Sequence, residues 1–314
     1  MRLEAQNSES LDSNKPTSVA WQQLVVSYGI TTIAVWIFGF LLFEGQSDSN
    51  TGLIYKWNMW SPTLSVIAVL IIWPKSWRSI LRDIGVIGGT IRSIFLYILI
   101  AVIVYPLVIL TAPFILSLFG WYKLDLQNFS GLKELLTQAG TEDSVFKSLP
   151  PLAGALYFMW LWFSNNLFSV LGEECAWRGF ILNRLLPLGQ KKAVLISGVL
   201  WGLWMQPIVL LGRVYLPSQP VLGGLIMMMT AILIGVVFGW LRLASGSIWP
   251  SVCAHSANAA AYHACGFFGA AEQRNIWPGT MLVGVLIPLI FLIAFLILTK
   301  RFPVEDRSLK RLPA

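Results

Sequence analysis

Glu173 and Glu174 stand side by side in the segment LFSVLGEECAWRGFILNRL, and Arg178 follows four residues after the second acid. On a helix Glu174 and Arg178 share a face, whereas Glu173 is turned about 100° away from its neighbour. One acid can therefore pair with the guanidinium while the other stays free. Two readings of the free acid are open. Glu173 faces water at the end of a helix, or it points into a polar cavity and acts as a general base. Ionisable groups within an apolar stretch are costly and usually mark function, which favours the second reading.

His255 lies in SGSIWPSVCAHSANAA, with Asn258 one helical turn further on the same face. Such a histidine can serve as an interhelical hydrogen-bond residue. Together with Asn258 it could instead supply donors to a developing oxyanion. His263 is eight residues beyond His255, roughly 12 Å along a helix, so the two cannot hold one metal ion and His263 reads as structural. No HExxH occurs, and Cys175, Cys253 and Cys265 form no CxxC pair, so no cofactor is expected and a catalytic metal is disfavoured.

The elements that must position these residues follow from hydropathy. Hydrophobic residues make up 56% of the 314-residue chain and charged residues only 12%, which places most of it in lipid. About eight stretches approach the roughly 20 apolar residues a span needs. They lie near 21–43, 58–74, 92–119, 150–172, 193–212, 221–241, 246–266 and 279–299. The expected fold class is all-α, a polytopic bundle of transmembrane helices. Pro106 and Pro113 predict a kinked third helix rather than two spans. If both termini are cytoplasmic, only Lys56, Lys123, Lys133, Lys147, Arg213 and Arg274 of the 22 Lys and Arg residues fall on the opposite side, as the positive-inside bias requires. The +7 charge is thus explained by topology, and no nucleic-acid partner is expected.

Residues 1–20 read as a disordered cytoplasmic tail, 21–149 as N-terminal transmembrane helices with a polar loop or surface helix at 122–148, and 301–314 as a basic cytoplasmic tail. Trp57, Trp60, Trp73 and Trp77 read as interfacial anchors. Gly198 with Gly202, and Gly235 with Gly239, have the spacing of close helix contacts.

Taken in order, these residues resemble the CAAX protease and bacteriocin-processing family of intramembrane proteases, also called the Abi family. Its first motif, a Glu pair, three residues and an Arg, is met by Glu173, Glu174 and Arg178, with Gly179 and Phe180 also typical. The texts WGLWMQPIVLLG and SGSIWPSVCAHSANAA are similar to its second and third motifs. The likeness covers residues 150–265 and implies a protease core over 150–300 with its cavity open to the cytoplasm. It implies a peptide or a prenylated or other membrane protein as substrate. It further implies that Glu173 activates water and that His255 is an oxyanion donor.

Two positions depart from the pattern. The His expected four residues after Trp201 is Met205, with Gln206 beside it; the Asn or Asp expected four residues after His255 is Ala259, with Asn258 one place early. A thioether cannot exchange a proton near neutral pH, so Met205 replaces neither role of an imidazole. A catalytically impaired relative serving as a scaffold or substrate-binding protein is therefore the alternative expectation.

Overall fold

The computed structural model describes residues 19–44, 58–138, 150–211, 215–216, 218–273 and 277–304. The expected tails at 1–18 and 305–314, Trp57, and the later part of the 122–148 segment lie outside these residues.

Apolar runs become helices because a backbone in lipid must satisfy its own hydrogen bonds. In chain order these are α1 (Trp21–Glu44), α2 (Ser61–Ile72), α3 (Trp77–Ile84), α4 (Ile91–Leu118, interrupted), α5 (Ser130–Gln138), α6 (Pro151–Glu174), α7 (Gln190–Leu211), α8 (Pro220–Ser245), α9 (Trp249–Ala264) and α10 (Trp277–Leu298). Among the described residues there is no β-strand, only an isolated antiparallel bridge between Leu124 and Gly269.

Among the described residues five helical runs are long and apolar enough to cross a membrane: Trp21–Phe40, Ile91–Leu118, Gln190–Leu211, Pro220–Ser245 and Met281–Leu298. The other three expected spans correspond to α2, α6 and α9, which fall short for different reasons. The 12 residues of α2 and 16 of α9 reach only about 18 and 24 Å at 1.5 Å per residue. The 24-residue α6 is long enough but carries Asn165, Asn166, Glu173 and Glu174.

The prolines act on α4 as their chemistry requires. Pro106 has no N–H to give and crowds the carbonyl four residues earlier. The helix widens into a π turn over Ile100–Val104 just before it, and a second break at Leu110–Thr111 precedes Pro113.

Small residues set the closest helix crossing. A Cβ on Gly235 of α8 would lie 3.0 Å from Gly198 Cα on α7, and one on Gly198 would lie 3.0 Å from Ile232 Cα. Backbone against backbone cannot yield as a side chain does. Gly235→Val is therefore expected to lower stability by about 1–3 kcal/mol or more. A methyl added at Gly29 on α1 would meet nothing within 4 Å, so Gly29→Ala is expected to be neutral or stabilising by up to ~1 kcal/mol. Thermal melting of the two variants in detergent checks the contrast.

The segment after α4 docks against the end of α9. Asp125 N donates to Phe268 O (2.8 Å) and Gly131 N to Gly269 O (3.1 Å). The Ser130 hydroxyl and the Asn128 N–H hold the Asp125 carboxyl down at about 2, so this loop contact stays ionised at ordinary pH. Leu132 of α5 then packs on Phe158, Ala264 and Phe267.

Candidate functional site

Glu173 and Glu174 are the last two residues of α6, and the chain continues without a break into a second π turn, Cys175–Ile181. π turns are uncommon and recur at functional sites. Here the wider winding carries Gly179 hard against α3, where a Cβ would lie 3.0 Å from Ile84 O. Any larger residue at 179 would push α3 away.

All four charged or titratable groups lie inside the protein. Glu174 is fully buried, and Glu173, Arg178 and His255 are 3%, 2% and 9% exposed. Glu173 therefore does not face water at a helix end. Glu174 Oε1 accepts from Arg178 Nη1 at 2.9 Å and lies 2.8 Å from His255 Nδ1. Nδ1 is thus engaged by the carboxylate, and the ring's other nitrogen, Nε2, is left for other work. On a neutral ring Nε2 accepts a proton; on a charged ring it donates one.

Glu173 is held by a different helix. Its Oε2 accepts from Trp201 Nε1 of α7 at 2.8 Å. The same indole lies beneath the Arg178 guanidinium, with Cζ 4.4 Å from the ring centre, and meets His255 edge to face at 5.3 Å. Phe238 of α8 closes the other side, 5.2 Å from Arg178 Cζ and 5.4 Å from the His255 ring. Two aromatic faces thus share the cation's charge with Glu174, which suits a guanidinium removed from water. Glu174 Oε2 and Arg178 Nη2 make no hydrogen bond among the described residues.

Asn258 takes its partner from α4. Its Oδ1 accepts from Tyr105 Oη at 2.8 Å, which leaves the amide N–H groups as donors. Tyr105 itself packs on Phe238. The structure thus brings Glu174, Arg178 and His255 into direct contact, while Glu173 and Asn258 each reach the cluster through an aromatic residue.

The departures occupy defined places. Met205 is buried one turn beyond Trp201 on α7. Gln206 is committed elsewhere, its amide donating to Gly202 O (2.8 Å) and Gly224 O (3.2 Å) and tying α7 to α8. His263 stacks on Trp162 at 3.7 Å between ring centres. Among the described residues no three His, Cys, Asp or Glu side chains converge as metal ligands would.

Trp201 is visible in the sequence as the motif's aromatic position, yet nothing in its type or spacing says that its N–H reaches Glu173. Tyr105 and Phe238 carry no signal, because their closeness to the site arises only from packing.

Residues 155–261 match the family model described as type II CAAX prenyl endopeptidase Rce1-like. The matched stretch begins in α6 and ends in α9, and contains Glu173, Glu174, Arg178, Trp201, Met205, His255 and Asn258. It agrees with the family resemblance carried by the Glu pair and the later motifs. No curated protein matches the chain.

Proposed function

We propose that this chain, part of which matches the type II CAAX prenyl endopeptidases, is an intramembrane endopeptidase acting on a peptide or a prenylated or other membrane protein. The observation that carries the reading is the buried Glu173–Glu174–Arg178–His255 cluster at the meeting of α6, α7, α8 and α9. Charge inside an apolar bundle is costly to bury even when paired, and its retention there marks function.

In this reading Glu173 is the base that takes a proton from water as the oxygen attacks the scissile carbonyl. Trp201 fixes the carboxylate's orientation through Oε2 and leaves Oε1 for the water. Arg178 neutralises Glu174, so that the second acid does not compete for the same proton. Glu174 in turn fixes the His255 ring through Nδ1. A His255 Nε2–H and the Asn258 amide, oriented by Tyr105, then donate to the developing oxyanion. Collapse of the tetrahedral intermediate breaks the C–N bond, and the proton held by Glu173 passes to the leaving amine.

The bundle around this core has about eight spans with both termini cytoplasmic. α2, α6 and α9 complete the count, their polar or short character offset by packing within the protein rather than against lipid.

Met205 favours a second reading, a catalytically impaired relative that binds membrane proteins without cutting them. The discriminating experiment compares membrane peptides from cells carrying the native chain and Glu173→Ala. A product that depends on Glu173 is expected for the endopeptidase. Identical peptide sets with a phenotype intact in the variant would establish the scaffold.

A further inference from the structure

Arg242, half-buried in the last turn of α8, differs from the buried arginines. Arg178 has Glu174, and Arg184 donates from Nε to Gln23 at 2.7 Å. The Arg242 guanidinium forms no hydrogen bond or ion pair among the described residues, and its Nε is buried without a partner.

The guanidinium rests on the backbone of Gly85, the left-handed residue that ends α3 (φ 86°). A Cβ at that position would lie 2.7 Å from Arg242 Nε, so glycine makes the seat. The acceptors near this seat are already in use. Gly85 O takes Ile248 N (3.0 Å) and the Ser247 hydroxyl (3.2 Å), Val86 O takes Trp249 Nε1 (3.3 Å), and Arg242 O takes Gly246 N (3.1 Å). The acid of α3, Asp83, is bound by Lys75 at 3.0 Å. Arg78 and Arg82 on α3 are exposed, and Trp77 is 62% exposed beside them. Arg78 Cζ lies 5.3 Å from the Trp77 ring centre, and an exposed tryptophan of this kind sits at headgroup depth.

We propose that Arg242, seated on Gly85 and flanked by α3, is a binding site for the phosphate of an anionic phospholipid. A partly buried guanidinium that no protein acceptor engages among the described residues is suited to an anion, and its planar fork matches two phosphate oxygens. The lipid's acyl chains would run down the apolar bundle while Trp77 marks the interface. The proposal does not depend on the catalytic reading above.

Native mass spectrometry of the purified full chain in neutral detergent, with phosphatidylglycerol and phosphatidylcholine in competition, tests it. The native protein should retain phosphatidylglycerol preferentially. Arg242→Gln should lower that preference by about tenfold, as loss of one charge-assisted fork implies, and Arg242→Lys should fall between. Equal retention of the two lipids by the native protein overturns the proposal, as does an unchanged preference in Arg242→Gln. Displacement of the lipid by millimolar inorganic phosphate would show a free-anion site instead and also overturn it. Should Arg242→Gln not fold, Arg242→Lys, which keeps the charge, decides: an undiminished preference overturns the proposal.

Discussion

Replacing Met205 by histidine is expected to create or raise peptidase activity by at least an order of magnitude. Met205 is buried one helical turn beyond Trp201, whose indole N–H grips Glu173, so an imidazole there stands on the side of α7 that meets the carboxylate. The side chains are similar in bulk, and α7 should pack as before. The imidazole would share with Glu173 the activation of water, and a positioned acid or base is typically worth ~10²–10⁴ in rate. The gain should vanish in Met205→His combined with Glu173→Gln. Ala259→Asn, added to Met205→His, should raise the rate further if it completes the oxyanion site, where one donor is worth roughly 10²–10³. Cleavage of a quenched peptide library by purified, folded protein is the measurement. A native protein that cleaves beside an inert Met205→His variant would show that Met205 does not face the reacting atoms.

The largest stability effect is expected at Glu174. One oxygen of that carboxylate serves both Arg178 and His255, so Glu174→Ala strands a guanidinium 1% exposed and releases the ring at once. Breaking a buried pair by removing one partner costs about 3–5 kcal/mol, a large share of a protein's usual margin. Arg178→Ala should cost a similar amount. Glu173→Gln should be nearly neutral for folding, because the amide oxygen can still accept from Trp201. Melting in detergent separates the three variants; similar midpoints would show that the pair does not hold the site together.

The bundle is readable in the sequence because lipid leaves a chain few options. The apolar stretches near 193–212, 221–241 and 279–299 form α7, α8 and α10 with ends shifted by a few residues, and Pro106 and Pro113 interrupt α4 as their missing N–H groups demand. The Glu174–Arg178 pair follows from helical spacing alone, and the glycines of α7 and α8 sit at a backbone crossing as their spacing indicates. Other features are not readable. Glu173 bonds an indole 28 residues away and Asn258 a phenol 153 residues away, distances set by how helices stack. His255 Nδ1 meets Glu174, 81 residues away, through the packing of α9 on α6. Hydropathy overstates the length of α2, since Met59 and Trp60 form a turn and the helix begins at Ser61.

The π turn after the Glu pair also fixes an angular phase. Cys175–Ile181 winds more slowly than an α-helix, so every side chain downstream is rotated relative to where α-helical counting would put it. Relaxing this segment to ordinary winding with every residue kept would swing Phe180, Arg184 and the entry to α7 by up to ~100° about the axis, whereas loss of one residue along with the π winding would largely offset that swing. The extra residue held in the π turn and the winding that accommodates it are therefore matched, and the motif's fixed spacing between acids and arginine is a constraint of screw geometry as much as of chemistry.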